Sequence, residues 1–111
     1  MVSMGHHCLL NVYGCKFEIL DNEDFMIRVL KKAASECGAT ILNAVSHKFE
    51  PQGVTVILLL SESHISVHTF PEKGTAAFDI YTCGIADSKL GAQWILQQMN
   101  AGYHTLIDIG R

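Results

Sequence analysis

The chain has 111 residues, 49% hydrophobic and 17% charged, with nine glycines and two prolines. That length suits one domain spanning residues 1–111, with surface enough to bury a core without staples, and the composition excludes a disordered chain. Eight Lys+Arg against eleven Asp+Glu give a net charge of −3, with no basic cluster beyond Lys31-Lys32, so the positive footprint that nucleic acid requires is missing.

The opening Met1-Val2-Ser3-Met4-Gly5-His6-His7 has no basic flank leading into an apolar stretch, so no secretory leader is expected. No apolar run approaches the length of a membrane helix, since Val54–Leu60 stops at Ser61. A cytoplasmic chain without a membrane partner is the expectation. A first strand is predicted over His7–Tyr13, closed by Gly14. Asp21 then offers an N-cap oxygen to a helix whose buried face would carry Phe25, Val29, Leu30, Ala33 and Cys37. Gly38 suits the C′ position of that helix. Strands follow over Thr40–Phe49 and Gly53–Leu60, joined through Pro51-Gln52-Gly53. Next come Ser63–Phe70 and Thr75–Cys83, a hairpin turning on Pro71-Glu72-Lys73-Gly74. Ser88 is the expected cap of a second helix burying Leu90, Trp94, Ile95 and Met99, and Tyr103–Ile109 is the last strand. Two amphipathic helices with mostly antiparallel strands predict an α+β, two-layer sandwich, both helices on one face of the sheet.

If Phe70 faces Thr75 across the turn, then Ile65 faces Ile80, Val67 faces Phe78 and Thr69 faces Ala76. Opposed residues share a face, so this register stacks apolar on apolar, and a slip of one residue would set Val67 against Asp79 or Ala77. The other face receives His64 with Tyr81, Ser66 with Asp79 and His68 with Ala77, and Cys83 falls opposite Glu62, beside Ser63. That face is expected to gather a hydroxyl, two imidazoles, a thiol and a carboxylate near one end of the hairpin.

The plainest use of such a face is solvation. Zinc held by His64, His68 and Cys83 fits poorly, because residues four apart on a strand lie about 13 Å apart. A nucleophilic triad would need Ser63 and His68 in contact, yet the two have opposite strand parity and meet only if the chain bends sharply at Glu62–His64. The four cysteines, Cys8, Cys15, Cys37 and Cys83, form no CxxC pair and read as small core side chains, except Cys83, whose parity points outward.

The run Ser61-Glu62-Ser63-His64-Ile65-Ser66-Val67-His68-Thr69-Phe70-Pro71-Glu72 closely resembles the self-processing segment of prokaryotic S-adenosylmethionine decarboxylase proenzymes. The likeness continues through Gly74, Asp79 and Thr82-Cys83-Gly84. Upstream it takes in Gly5, His7, Tyr13, Cys15, Gly38-Ala39-Thr40, His47, Phe49, Pro51 and Gly53-Val54, so it spans roughly residues 5–84.

The resemblance implies self-cleavage at Glu62–Ser63 into a β chain, 1–62, and an α chain, 63–111. Ser63 would attack the Glu62 carbonyl, and the resulting ester would eliminate to dehydroalanine, then hydrate and lose ammonia, leaving a pyruvoyl group without any metal. The carbonyl of such a group forms a Schiff base with the substrate amine and takes up the electrons released as CO₂ departs. By the same resemblance Thr55 and His68 assist processing, with threonine standing where the family usually has serine. Cys83 returns a proton to the substrate carbon, as a thiol of unperturbed pKa about 8.5 can at neutral pH. The resemblance further implies that Phe49 and His68 would sandwich the adenine of the substrate and that Glu72 would hold its ribose hydroxyls.

The implied product is the aminopropyl donor of spermidine biosynthesis, and the implied assembly is a homodimer of cleaved protomers with active sites near the interface. Departures from the family pattern are Asn11, where an acid is common, Phe70, where tryptophan is common, and an end at Arg111 without the longer acidic tail. Relatives on this scaffold that decarboxylate arginine or ornithine, and an uncleaved regulatory homologue, are the alternatives.

Overall fold

The computed structural model describes residues 4–111; Met1-Val2-Ser3 of the opening segment lies outside them. In chain order the elements are β1 (His6–Tyr13), α1 (Phe17–Leu20), α2 (Glu23–Cys37), β2 (Ile41–Lys48), β3 (Val54–Leu60) and β4 (Ser63–Phe70). A 3₁₀ turn (Pro71–Lys73), β5 (Thr75–Thr82), α3 (Ser88–Met99) and β6 (Tyr103–Gly110) complete the chain. The six strands form one antiparallel sheet in the order β2-β3-β4-β5-β1-β6. Helices α2 and α3 pack together and cover the same face, giving the expected two-layer α+β sandwich. No helix among the described residues is long and apolar enough to cross a membrane.

Strand alternation sorts the side chains. Cys8, Leu10, Val12, Val56, Leu58, Ile65, Val67, Phe78 and Ile80 are fully buried beneath the helices. The predicted hairpin register is the observed one, from Phe70↔Thr75 through Val67↔Phe78 and Ile65↔Ile80 to His64↔Tyr81. Gly74 takes the left-handed conformation (φ 67°) that ends the turn, and Gly38 does the same (φ 80°) at the end of α2.

Both helix starts differ from expectation by one residue. Asn22, not Asp21, caps α2 by accepting from the Phe25 N–H. Asp21 is drawn elsewhere: its carboxylate accepts from the Gly53 N–H at 2.8 Å and pairs with Lys48 at 3.0 Å, which holds it below the usual carboxylate range. Asp87 caps α3, leaving Ser88 buried, where its hydroxyl accepts from the Cys8 thiol. The short helix α1, unforeseen in the sequence, precedes Asp21. Leu90 is exposed rather than buried, because α3 turns Gly91, Ala92, Ile95 and Met99 inward.

Gly91 lets α3 lie against α2: a Cβ there would come within 2.5 Å of Cys37 Sγ and 3.3 Å of the Ala33 carbonyl oxygen. We expect Gly91→Ala to lower stability by about 1–3 kcal/mol, the cost of forcing atoms into a packed core, read as a lower denaturant midpoint at unchanged slope.

Candidate active site

Strands β3 and β4 are joined by Ser61 and Glu62 alone, with Leu60 facing Ser63 across the ladder. So short a connection forces one residue into the left-handed region, and Glu62 takes it with φ 66°. A residue with a Cβ holds that conformation at a cost of about 1–2 kcal/mol. The strain sits on the amino side of the Glu62–Ser63 bond. The Ser61 N–H donates to the Thr40 carbonyl at 2.9 Å and anchors the turn. Ser63 is buried at the floor of a depression of about 600 Å³ walled by Met4, Leu42, Leu59, His64, Tyr81 and Arg111.

Cys83 follows the end of β5 and reaches this turn. Its thiol donates to the Glu62 carbonyl oxygen at 3.0 Å and lies 3.7 Å from the Glu62 side-chain carboxylate. Partial desolvation, and then the neighbouring Glu62 charge, push the thiol pKa up, so it stays protonated at neutral pH. Cys8, Cys15 and Cys37 are buried and free, and burial drives the Cys37 pKa up to about 11. The outward placement of Cys83 is therefore as expected, and so is its position opposite Glu62.

A second cluster occupies the other end of the same strands. Thr55 Oγ1 and His68 Nδ1 are hydrogen-bonded at 2.7 Å across β3 and β4. Phe49, just past β2, is 46% exposed and meets the His47 ring edge-on at 4.5 Å, so it is no core aromatic. Glu72 lies exposed in the 3₁₀ turn after β4, at the same end.

The expected gathering of a hydroxyl, two imidazoles, a thiol and a carboxylate at one end of the hairpin is met in part: His64 lies at the end of Glu62 and Cys83, and His68 at the other. β4 runs extended from Ser63 to Phe70, and the bend lies before Ser63 rather than after it. Five residues of strand put His68 about 16 Å from Ser63 along the chain. Ser63 also faces the helices, whereas His68 faces away from them. Within one chain, Glu62, Ser63 and Cys83 are brought together, while Thr55, His68, Phe49 and Glu72 are held apart from them. No group of three or more His, Cys, Asp or Glu among the described residues converges as a metal site would.

Sequence reasoning places His64, Tyr81 and Asp79 on one face but misses the cluster that His7 and Arg111 complete there. His7 Nε2 and Asp79 Oδ1 are 2.9 Å apart on the helix-free face, with His64 and Tyr81 edge-on or tilted at 5.6–6.1 Å and Arg111 over the Tyr81 ring. Hairpin arithmetic could not reach it, because it depends on β1 docking between β5 and β6.

The S-adenosylmethionine decarboxylase family model matches residues 6–111. The chain is 53% identical over 81 residues to the S-adenosylmethionine decarboxylase proenzyme of a Synechococcus strain, a match covering 73% of this chain and 63% of that relative. To the proenzyme of Geobacillus kaustophilus it is 40% identical over 111 residues, covering 100% of this chain and 90% of the relative. The fold is similar to the crystal structure of the adenosylmethionine decarboxylase from Aquifex aeolicus, with a TM-score of 0.92 at 30% identity, covering 100% of this chain and 92% of that one. The family-model match over residues 6–111, a relative 40% identical along the whole chain and the shared fold show that the chain belongs to the S-adenosylmethionine decarboxylase family.

Proposed function

We propose that this chain is a proenzyme that cuts itself at Glu62–Ser63 and then decarboxylates S-adenosylmethionine. The observation that carries the reading is the 3.0 Å contact from the Cys83 thiol to the carbonyl of the strained residue preceding Ser63. A thiol donor on that oxygen stabilises the negative charge that develops there when the Ser63 hydroxyl adds to the carbon. The acyl group passes from nitrogen to oxygen, giving an ester. Loss of the Ser63 α-proton then expels the Glu62 carboxylate, and water in with ammonia out leaves the α chain, 63–111, capped by a pyruvoyl group beside the β chain, 1–62.

The surroundings fit such a group, since Ser63 lies at the floor of an open depression and the nearby thiol is kept in its acid form. Once formed, it supplies an electron-accepting carbonyl for α-amino-acid decarboxylation. Cys83 then stands ready to protonate the substrate carbon. Thr55 orients the His68 imidazole, and Phe49, His68 and Glu72 offer an aromatic clamp and a hydroxyl-binding carboxylate for a nucleoside. Arginine and ornithine have no ring to clamp, which favours the nucleoside substrate over them.

Because a strand's length separates the two clusters within one chain, the proposed site is completed by a second copy. The helix-free sheet face exposes Val45, Ile57, Leu59, Ile107 and Ile109, an apolar set of the kind that marks an interaction surface. In the two-fold pairing we propose for these faces, the Ser63 end of one protomer lies over the His68 end of the other. The homodimer is thus part of the catalytic reading.

Denatured mass spectrometry of purified protein is expected to give two chains, 1–62 and 63–111. Labelled CO₂ should be released from S-adenosylmethionine and not from arginine or ornithine supplied in parallel. Release from either alternative alone would overturn the substrate, and an uncut chain with no release would leave a regulatory homologue.

A further inference from the structure

We infer that Glu62 is a positioning residue for Cys83, and that self-cleavage itself completes the arrangement by turning the oxygen to which the thiol donates into part of a carboxylate. The inference rests on the processing reading above. In the uncut chain the sulfur contacts Glu62 twice, at the main-chain carbonyl (3.0 Å) and near the side-chain carboxylate (3.7 Å). After the cut, Glu62 is the last residue of the β chain. Its carbonyl oxygen and the former Ser63 hydroxyl oxygen become the two oxygens of a new α-carboxylate. A neutral acceptor thereby becomes an anionic one, and the thiol faces two carboxylates on one residue.

Like charge disfavours the thiolate, so the pair keeps the Cys83 proton in place until the substrate carbanion needs it. The same thiol thus serves carbonyl activation before the cut and proton donation after it. The other titratable and charged groups at this end are His64 on β4, Tyr81 on β5, His6 at the start of β1, Arg111 beyond β6, and Asp87 and Lys89 at the start of α3. Glu62 is the charged group among them in contact with the sulfur.

The test is the pH dependence of Cys83 alkylation by iodoacetamide, read by peptide mass. Cys83 is the least buried of the four thiols, so it is resolved from the others. Four proteins are compared: the cleaved wild type, uncut Ser63→Ala, Glu62→Gln, and the double variant Ser63→Ala/Glu62→Gln. The midpoint is expected to be highest in cleaved wild type and lower in Ser63→Ala, with Glu62→Gln moving it down by about one further pH unit in either background. The alkaline limb of the kcat profile should move with it in Glu62→Gln, with KM little changed. Equal midpoints in Ser63→Ala and the double variant would overturn the role of Glu62. Equal midpoints in cut and uncut chains would overturn the role of cleavage. Should the wild type fail to cut, its mass reports that separately, and the uncut pair still decides whether Glu62 holds the proton.

Discussion

Replacing Ser63 by alanine is expected to leave one uncut chain of 111 residues and to abolish decarboxylation. Alanine has no oxygen with which to accept the Glu62 acyl group, so neither the ester nor the subsequent elimination is possible. Ser63 lies at 9% exposure with its side chain toward the helices, and alanine fits there without a clash or a lost hydrogen bond, so the fold should survive. Activity falls to the uncatalysed background, at least about a millionfold, because no side chain of the site can delocalise a carbanion. The checks are the denatured mass and CO₂ release on the same sample. A cysteine at this position, Ser63→Cys, retains a nucleophile and should cut more slowly rather than not at all. A cut Ser63→Ala chain would mean that another group attacks the bond, and the strained turn would then need a different explanation.

Co-expressing Ser63→Ala with His68→Ala should restore activity that neither variant has alone. With sites shared as proposed, each mixed dimer would contain one site with an intact Ser63 turn from one protomer and an intact His68–Thr55 pair from the other, while the opposite site would lack both. Random pairing puts half of the molecules in mixed dimers with one working site of two, so about a quarter of the wild-type activity is expected. The His68 side chain is exposed and, among the described residues, hydrogen-bonded to Thr55, so its removal leaves the core untouched. Complementation fails if both clusters serve one protomer. Activity no greater than that of the separate variants would therefore refute the shared site, and the roughly 16 Å between the clusters would have to be closed within one chain.

Much of this was legible in the residues. Alternation over Ile65–Phe70 and Thr75–Ile80 admits one register that separates apolar from polar, and the observed ladder is that register. The same register sets Cys83 beside Glu62, because pairing within a hairpin is a local matter fixed by its turn. The resemblance to self-processing decarboxylases was carried by a contiguous run, Ser61–Glu72, and needed no folding at all.

Helix caps were legible only to within a residue, since Asp21 and Asn22 are both good caps and the long-range partners Gly53 and Lys48 decide which one is free to serve.

The layers, the hairpin register and the thiol opposite Glu62 could thus be read from the residues, since all are properties of neighbours along the chain or across one turn. Tertiary structure alone decided that His68 stands a strand's length from Ser63, that β1 enters beside β5 to pair His7 with Asp79, and that one sheet face stays bare. These depend on where extended strands end in space and which edges meet. Periodicity reports which face a residue takes, but not how far along the sheet it lies from its chemical partner.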